Sequence, residues 1–293
     1  MTSASSRRPL VLGVDTVGTG RVAAAWAADE AARRHLPLRL VHAVRPAIHD
    51  IVGFDGNRYH EALRQSGARL LDQAAQRAYE RHPELTVSTA VGDGTPSQVL
   101  CRESHQAELV VLGSRSLSRA EEVFSASSAA VPVSAQAACP VAVVRDPEHV
   151  TQDPPYLVVG VDGSLASAEA VEYAAATAAL RGAELHAVRV WLPPLIVPVD
   201  EHVAVQELRR QLSEATAGWS DRYPDVRITH DVLRGHPVEE LAKVSEHALA
   251  VVVGRRGRGG FTGMRLGSVP HGLLHRAHCP VVTVPEPTAR SAP

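Results

Sequence analysis

The chain has 293 residues, a length that favours two domains of ordinary size. Hydrophobic residues make up 45% of it and aromatic residues only 4%, so valine, leucine and alanine must fill the core, which favours tightly packed α/β layers. The formal net charge of −2 gives no bulk attraction to nucleic acid or to an anionic membrane, and no apolar run is long enough to span a bilayer.

The cysteines and histidines give no sign of a metal centre. Cys101, Cys139 and Cys279 lie far apart without a C-x-x-C spacing, which predicts reduced thiols in a cytoplasmic protein. A redox-sensitive Cys101 is the alternative. The 15 histidines are scattered along the chain and are expected to be surface side chains rather than metal ligands. Residues 1–9 lead directly into an apolar strand, so no signal peptide is predicted.

Strand-like apolar runs alternate with helical patterns along the first half of the chain. The predicted elements are a strand ending at Asp15, a helix over 20–35, a strand ending near Val44, a helix over 59–82, a strand over 85–91, a short helix from Pro96, a strand over 109–113, a helix, and a strand over 141–144. Strands that alternate with helices imply a parallel, doubly wound sheet.

The second half of the chain repeats the first. The segment LVLGVD, which ends at Asp15, corresponds to LVVGVD, which ends at Asp162. The CPV that begins at Cys139 likewise corresponds to the CPV that begins at Cys279. A polar, proline-rich stretch over 146–155 separates the halves. We therefore predict two α/β domains, over 8–146 and 156–286. The second set of elements is a strand ending at Asp162, a helix over 166–182, a strand ending near Trp191, a helix over 201–222, a strand over 226–233, a short helix from Pro237, a strand over 248–253, a helix and a strand over 281–284.

A glycine- and arginine-rich segment, GRRGRGGFTGMRLGS over 254–268, follows a buried strand. Gly254 and Gly257 are predicted to turn the backbone with positive φ and to bring N–H groups close to a ligand. Gly267-Ser268 is predicted to open a helix, whose unpaired first amides attract phosphate. The other interpretation is a flexible basic loop of the RGG type.

The spacing Gly254-x-x-Gly257, nine residues, Gly267-Ser268 resembles the nucleotide-binding signature of the ATP-binding branch of the universal stress protein family. The resemblance implies tandem Rossmann-like domains of the adenine-nucleotide α-hydrolase-like type, with ATP as the ligand of the second domain. It also implies that backbone groups near Val190 meet adenine. Because a bare carboxylate repels a triphosphate, we expect ribose or Mg²⁺ beside Asp162. The implied ATP-binding residues are Asp162, Gly163, Ser164, Val190, Gly254, Arg256, Gly257, Gly267, Ser268 and Val269.

The first domain departs from this signature. Ser116 replaces the second glycine, and Ala126-Ser127 replaces the closing Gly-Ser pair. Two glutamates in the same loop would oppose a phosphate by like charge. We therefore predict one good site, in the second domain, and at best a weakened one in the first. The residues of the weakened site would be Asp15, Ala43, Gly113, Ser116, Ala126 and Ser127.

The sequence contains no Walker-type phosphate loop, no dinucleotide fingerprint and no motif for adenylyl transfer, and no general base stands beside a nucleophile. The resemblance thus implies a regulator of stress response or growth that binds ATP and hydrolyses it slowly or not at all. The alternative is an ATPase or nucleotidyl transferase that uses the same pocket. We also expect the two domains to pair about a pseudo-two-fold axis, with a homodimer left open and an unidentified regulatory protein as partner, while nucleic acid and membrane partners are not expected.

Overall fold

A computed structural model gives the fold. It describes residues 7–15, 21–46, 55–114, 129–145, 149–193, 200–258 and 265–287. These divide into two compact units, the first containing the described residues up to 145 and the second those from 149 onward.

The first unit alternates strands and helices from its first strand to its last. Its elements are β1 (Leu10–Gly13), α1 (Arg21–Arg33), β2 (Leu38–Val44), α2 (Gly56–Arg81), β3 (Val87–Asp93), α3 (Pro96–Glu103), β4 (Leu109–Gly113), α4 (Ala130–Gln136) and β5 (Val141–Val144). The strands pair in parallel in the order β3-β2-β1-β4-β5. The chain therefore leaves β1 in one direction and returns to its other side at β4, which creates a switch point between them.

The second unit repeats this arrangement. Its elements are β6 (Tyr156–Gly160), α5 (Leu165–Arg181), β7 (Glu184–Trp191), α6 (Glu201–Thr216), α7 (Trp219–Arg222), β8 (Ile228–Arg234), α8 (Pro237–Val244), β9 (Val251–Gly254), α9 (Ser268–Arg276) and β10 (Val281–Val284). The parallel order β8-β7-β6-β9-β10 places the switch point between β6 and β9. The predicted doubly wound α/β fold is confirmed.

Small side chains let the helices lie close to the sheet. In α5, Ala170, Ala174 and Ala178 recur at a spacing of one helical turn, and all three are fully buried. The strands beneath contribute valines that are buried on both faces, such as Val252. The low aromatic content therefore fits a core built from tightly packed aliphatic layers.

Two sequence-based boundaries are wrong. The helix predicted over 201–222 is interrupted, because Ala217 leaves the helical conformation with ψ 139° after α6 and Gly218 takes φ 84°, a left-handed conformation, before α7 begins. The first strand of each unit ends at Gly13 or Gly160, so Asp15 and Asp162 lie in the loops that follow. The helices predicted to begin at Pro96 and Pro237 are confirmed. No helix in the described ranges is both long and apolar enough to cross a bilayer.

Candidate functional site

A cavity of about 500 Å³ opens at the carboxyl ends of β6, β7 and β9 in the second unit. This is the switch point of the sheet, where open α/β sheets bind ligands, and the volume lies in the range of small-molecule sites. Most of the predicted ATP-binding residues line this one cavity, whereas Gly163 and Ser164 lie beside it. The lining residues from that prediction are Asp162, Val190, Gly254, Arg256, Gly257, Gly267, Ser268 and Val269.

One wall of the cavity is apolar. Val188 and Val190 contribute from β7, and Pro237 and Leu241 contribute from α8. An apolar wall beside free backbone groups suits a flat heteroaromatic ring, which needs a dry face and a few hydrogen-bonding groups at its edge.

Asp162 ties together two loops that border the cavity. Its Oδ1 accepts a hydrogen bond from the backbone N–H of Ser164 at 2.9 Å, and its Oδ2 accepts one from the backbone N–H of Arg258 at 3.0 Å. Burial raises the pKa of Asp162, but these hydrogen bonds outweigh burial and leave the pKa below its usual value. The carboxylate is therefore ionised at neutral pH.

The N-cap residue of α5 is Ser164 and not Asp162. The Ser164 hydroxyl accepts a hydrogen bond from the backbone N–H of Ser167 at 3.2 Å. Asp162 instead fixes the distance between the loop after β6 and the loop after β9.

The glycines of the motif have a different role from the predicted one. Neither Gly254 nor Gly257 has a φ in the left-handed range, so the predicted positive φ is wrong at both. A Cβ at Gly254 would lie 2.7 Å from the carbonyl carbon of Ala166, and one at Gly257 would lie 2.3 Å from Oδ2 of Asp162. Close packing inside the protein therefore requires these glycines. The left-handed glycine of the site is Gly163, with φ 78°.

The N-terminus of α9 borders the cavity without a side-chain cap. Gly267 is the N-cap residue, with φ −69° and ψ 160°, and its N–H donates to the carbonyl of Arg255 at 2.9 Å. The amides of Ser268 and Val269 belong to the first turn, where no helical carbonyl is available to accept from them. By contrast, α6 is capped by the carboxylate of Asp200. The open amides and the helix dipole favour an anion here.

Two arginine side chains reach the same point beside the cavity. NH1 of Arg258 and NH1 of Arg189 lie 3.3 and 3.4 Å from the position that a Cβ on Gly163 would take. Partial burial lowers the pKa of Arg189; the charge of Asp162 opposes that effect and the charge of Arg258 adds to it. Two positively charged side chains therefore lie close together at this point.

Sequence reasoning missed Arg189. A signal was present, since a charged residue between Val188 and Val190 interrupts the apolar carboxyl end of the strand, residues 187–191. Charge at the carboxyl end of an inner parallel strand is unusual for packing alone and is therefore an indication of a site.

The comparisons with known proteins agree with this geometry. The sequence matches the family described as "Universal stress protein family" over residues 6–145 and again over 156–285. The chain belongs to this family. A universal stress protein of Mycobacterium tuberculosis is 36% identical over 296 residues, which cover 96% of this chain and 98% of the relative. One from Mycolicibacterium smegmatis is 32% identical over 298 residues, which cover 97% and 99%.

A solved structure shows the same fold as this universal stress protein. The crystal structure of a universal stress protein from Archaeoglobus fulgidus superposes with a TM-score of 0.73 at 18% identity, and the match covers 96% of this chain and 97% of that one. At this identity the likeness concerns the fold, which confirms tandem Rossmann-like units.

The first domain of this universal stress protein has a cavity of similar volume, about 540 Å³. Asp15, Ala43 and Gly113 line it as predicted, whereas Ser116, Ala126 and Ser127 lie outside the described residues. His42 stands at the strand position that Arg189 holds in the second domain. Its Nδ1 is 2.8 Å from the carbonyl oxygen of Val14, so the ring is held against the backbone.

Proposed function

We propose that the second domain of this universal stress protein binds ATP and that the protein acts as a nucleotide-dependent regulator of stress response or growth. The observation that carries the proposal is the convergence, on one cavity of about 500 Å³, of an apolar wall and the uncapped amides of α9. These two features match the two chemically different ends of a nucleotide.

The order of the strands determines how the nucleotide lies. Because β6 stands between β7 and β9, a ligand with its base on β7 and its phosphates on the loop after β9 crosses the end of β6. Adenine packs on Val188 and Val190 and meets backbone groups near Val190. The polyphosphate accepts from the amides of Ser268 and Val269, and the exposed Arg256 adds a cation at that end.

Mg²⁺ enters with the phosphates in this proposal. Each oxygen of Asp162 already accepts a backbone N–H group, which uses one acceptor position on each oxygen to hold the two loops. The described part of the chain contains no group of three or more His, Cys, Asp or Glu side chains arranged to hold a metal ion. Magnesium ligands therefore come from the nucleotide and water.

The composition of the cavity supports binding with slow or no hydrolysis. Among the described residues that line it, the carboxylate of Asp162 is the one side chain of acid-base type, and its oxygens accept backbone hydrogen bonds. A general base must be free to take a proton from the attacking water. The alternative function, an ATPase or nucleotidyl transferase, would need such a base from elsewhere.

Calorimetric titration of the purified protein with Mg·ATP tests the proposal. We expect saturable binding, together with phosphate release far below a typical enzyme turnover of about 10 s⁻¹. Absence of binding would overturn the proposal, and turnover near that rate would favour the enzymatic alternative. A cytoplasmic location, pairing of the two domains, a homodimer and a regulatory protein partner stay predictions from the sequence.

A further inference from the structure

Within the described part of the chain, the guanidinium groups of Arg189 and Arg258 have no hydrogen-bond or ion-pair partner. Both lie over Gly163, yet across the described ranges neither side chain makes an ion pair or a hydrogen bond. Asp162 is the nearest opposite charge, but its two oxygens accept the backbone N–H groups of Ser164 and Arg258. One carboxylate against two guanidinium groups leaves a net positive charge at this point.

Two other surface arginines of the same domain are paired. Arg227, immediately before β8, and Arg234, at the end of β8, make ion pairs with Glu184 and Glu201, at 3.2 and 3.1 Å. Two cations held near each other without partners repel, and the partial burial of Arg189 makes this mutual repulsion stronger than it would be in water. An anion bound between them would remove this repulsion and gain charge-assisted hydrogen bonds.

The arginine pair, Arg189 and Arg258, belongs to a different part of the cavity from the amides of α9. Gly163 follows β6, the middle of the three strands whose ends form the cavity, whereas α9 follows the strand on one side of it. In the proposed pose the base lies on β7 and the 5′-phosphates lie at α9, so the ribose lies at the end of β6. The arginine pair therefore faces the ribose.

We propose that the arginine pair forms a second anion subsite, which takes a phosphate on the 2′- or 3′-oxygen of the ribose. The ligand class is then an adenine nucleotide that carries phosphate on both the 5′ position and the ribose ring edge. Two guanidinium groups match a phosphate dianion by paired N–H···O hydrogen bonds. The inference rests on the proposed function, since it requires the nucleotide to lie with its ribose at Gly163.

Calorimetry with four adenine nucleotides tests the subsite. ADP, adenosine 2′,5′-bisphosphate and adenosine 3′,5′-bisphosphate each carry two phosphorus atoms in different places, and AMP is the common core. We expect one of the two bisphosphates to bind at least about 10-fold more tightly than ADP, a difference of roughly 1.4 kcal/mol. Arg189→Gln should reduce that preference to within about 2-fold while AMP affinity changes by less than about 3-fold.

Two further variants keep the test independent of folding. Arg258→Gln alters an exposed loop side chain and should reduce the same preference even if Arg189→Gln proves unstable. Arg227→Gln removes an arginine of equal charge whose side chain, immediately before β8, is 74% exposed, and it should leave all four affinities unchanged.

The outcomes separate the subsite from the proposed function. Equal affinities for ADP and both bisphosphates would overturn the subsite and leave ATP binding standing. A preference that survives in both Arg189→Gln and Arg258→Gln would also overturn the assignment. Failure of all nucleotides to bind the wild-type protein would overturn the proposed function together with the subsite.

Discussion

The Asp162 carboxylate and the absence of a side chain at Gly257 hold two loops of the second domain together, the loop after β6 and the loop after β9. The Asp162 carboxylate accepts the N–H of Arg258, the residue directly after Gly257. A Cβ on Gly257 would lie 2.3 Å from Oδ2 of Asp162, far inside van der Waals contact. The Asp162 hydrogen bond therefore depends on the absence of a side chain at Gly257. A substitution at either residue should change the position of the other.

Gly257→Ala should weaken ATP binding by at least about 10-fold, since the new methyl displaces Asp162 and frees the loop from its anchor. We expect a lower thermal unfolding midpoint as well, because over-packing and a lost hydrogen bond each destabilise by about 1–3 kcal/mol. Gly267→Ala is the steric control, as its Cβ would approach no atom of the described residues closer than 3.4 Å and should leave the midpoint unchanged. An ATP affinity equal to that of the wild type in Gly257→Ala would contradict the role of Asp162 as the anchor of this loop.

Asp162 should also make folding stability depend on pH. Its pKa in the folded protein lies below the usual value: burial acts to raise it, but the N–H donors outweigh burial. A carboxyl with a depressed folded pKa stabilises the fold above its unfolded pKa, about 3.9, and this contribution is lost as pH falls through the folded value. Asp162→Asn cannot titrate and should cost about 1–3 kcal/mol at neutral pH.

Urea unfolding of wild type and Asp162→Asn across a pH series measures this contribution. The difference in unfolding free energy should stay constant from about pH 8 to pH 5 and shrink below about pH 4. Other acidic groups are common to both proteins and cancel in the difference. A difference that is independent of pH down to about pH 2 would show that the Asp162 hydrogen bonds do not favour the ionised form.

The sequence predicted which residues meet at the cavity but not what several of them do. Spacing along the chain placed Gly254 and Gly257 correctly, because a motif records which positions must lack a side chain. It could not reveal that Ala166 and Asp162 occupy the space, since those contacts join segments distant in sequence. Arg189 was missed for the same reason, as its neighbour Arg258 comes from another loop.

Among the helices, α9 differs from α5 and α6 in how it begins. Ser164 and Asp200 cap α5 and α6 with side-chain oxygens, whereas glycine at the N-cap of α9 leaves the first amides open to the cavity. A side-chain cap in place of this glycine would stabilise the helix by roughly a few tenths of a kcal/mol. The absence of that cap at the cavity is what a phosphate-binding helix requires, because ligand and cap compete for the same N–H groups.

Gly267→Asp should therefore separate stability from binding. The backbone at Gly267 is extended, with φ −69° and ψ 160°, which suits an aspartate N-cap. We expect the protein to gain roughly 0.5–1 kcal/mol in unfolding free energy and to lose at least about 10-fold in ATP affinity, because the new carboxylate occupies the amides and repels phosphate.

Urea unfolding and calorimetry on Gly267→Asp, Gly267→Ser and Gly267→Ala give the comparison. Serine can cap without charge, so its loss of affinity should be smaller, and alanine adds no cap. Unchanged ATP affinity in the aspartate variant would place the phosphates away from α9.

Regular elements were easier to predict than their ends. Alternating apolar runs gave the strands and helices in the right order, because burial imposes a pattern on many residues at once. The break between α6 and α7 was missed, since one glycine inside a helical pattern does not reveal its φ. The left-handed backbone at Gly218 is set by how the chain turns into the next segment.

In the whole molecule, duplication gives two domains whose cavities are similar in volume but are lined by different side chains. The cavity volumes are about 500 and 540 Å³, so size alone does not separate a good site from a weak one. The charges do differ, since His42 packs against the backbone in the first domain where Arg189 stands in the second. We therefore expect the duplicated sheet to carry one functional nucleotide site.

Calorimetric titration with Mg·ATP should give one binding site per chain. Gly254 and Gly113 are equivalent glycines of the two domains, so substituting each in turn tests which domain contains the site. A Cβ on Gly254 would lie 2.7 and 2.8 Å from the backbone carbon and oxygen of Ala166. These backbone atoms belong to α5, so they can move away only if the helix moves. Among the described residues, a Cβ on Gly113 would meet the methyl of Ala23 alone, at an ordinary 3.8 Å.

Gly254→Ala should therefore lower the unfolding midpoint and abolish the calorimetric signal, whereas Gly113→Ala should leave both unchanged. The same chemical change at equivalent strand ends then reports on one domain at a time. Two sites of equal affinity in the wild type, or loss of binding in Gly113→Ala, would mean that the first domain binds nucleotide despite its altered motif.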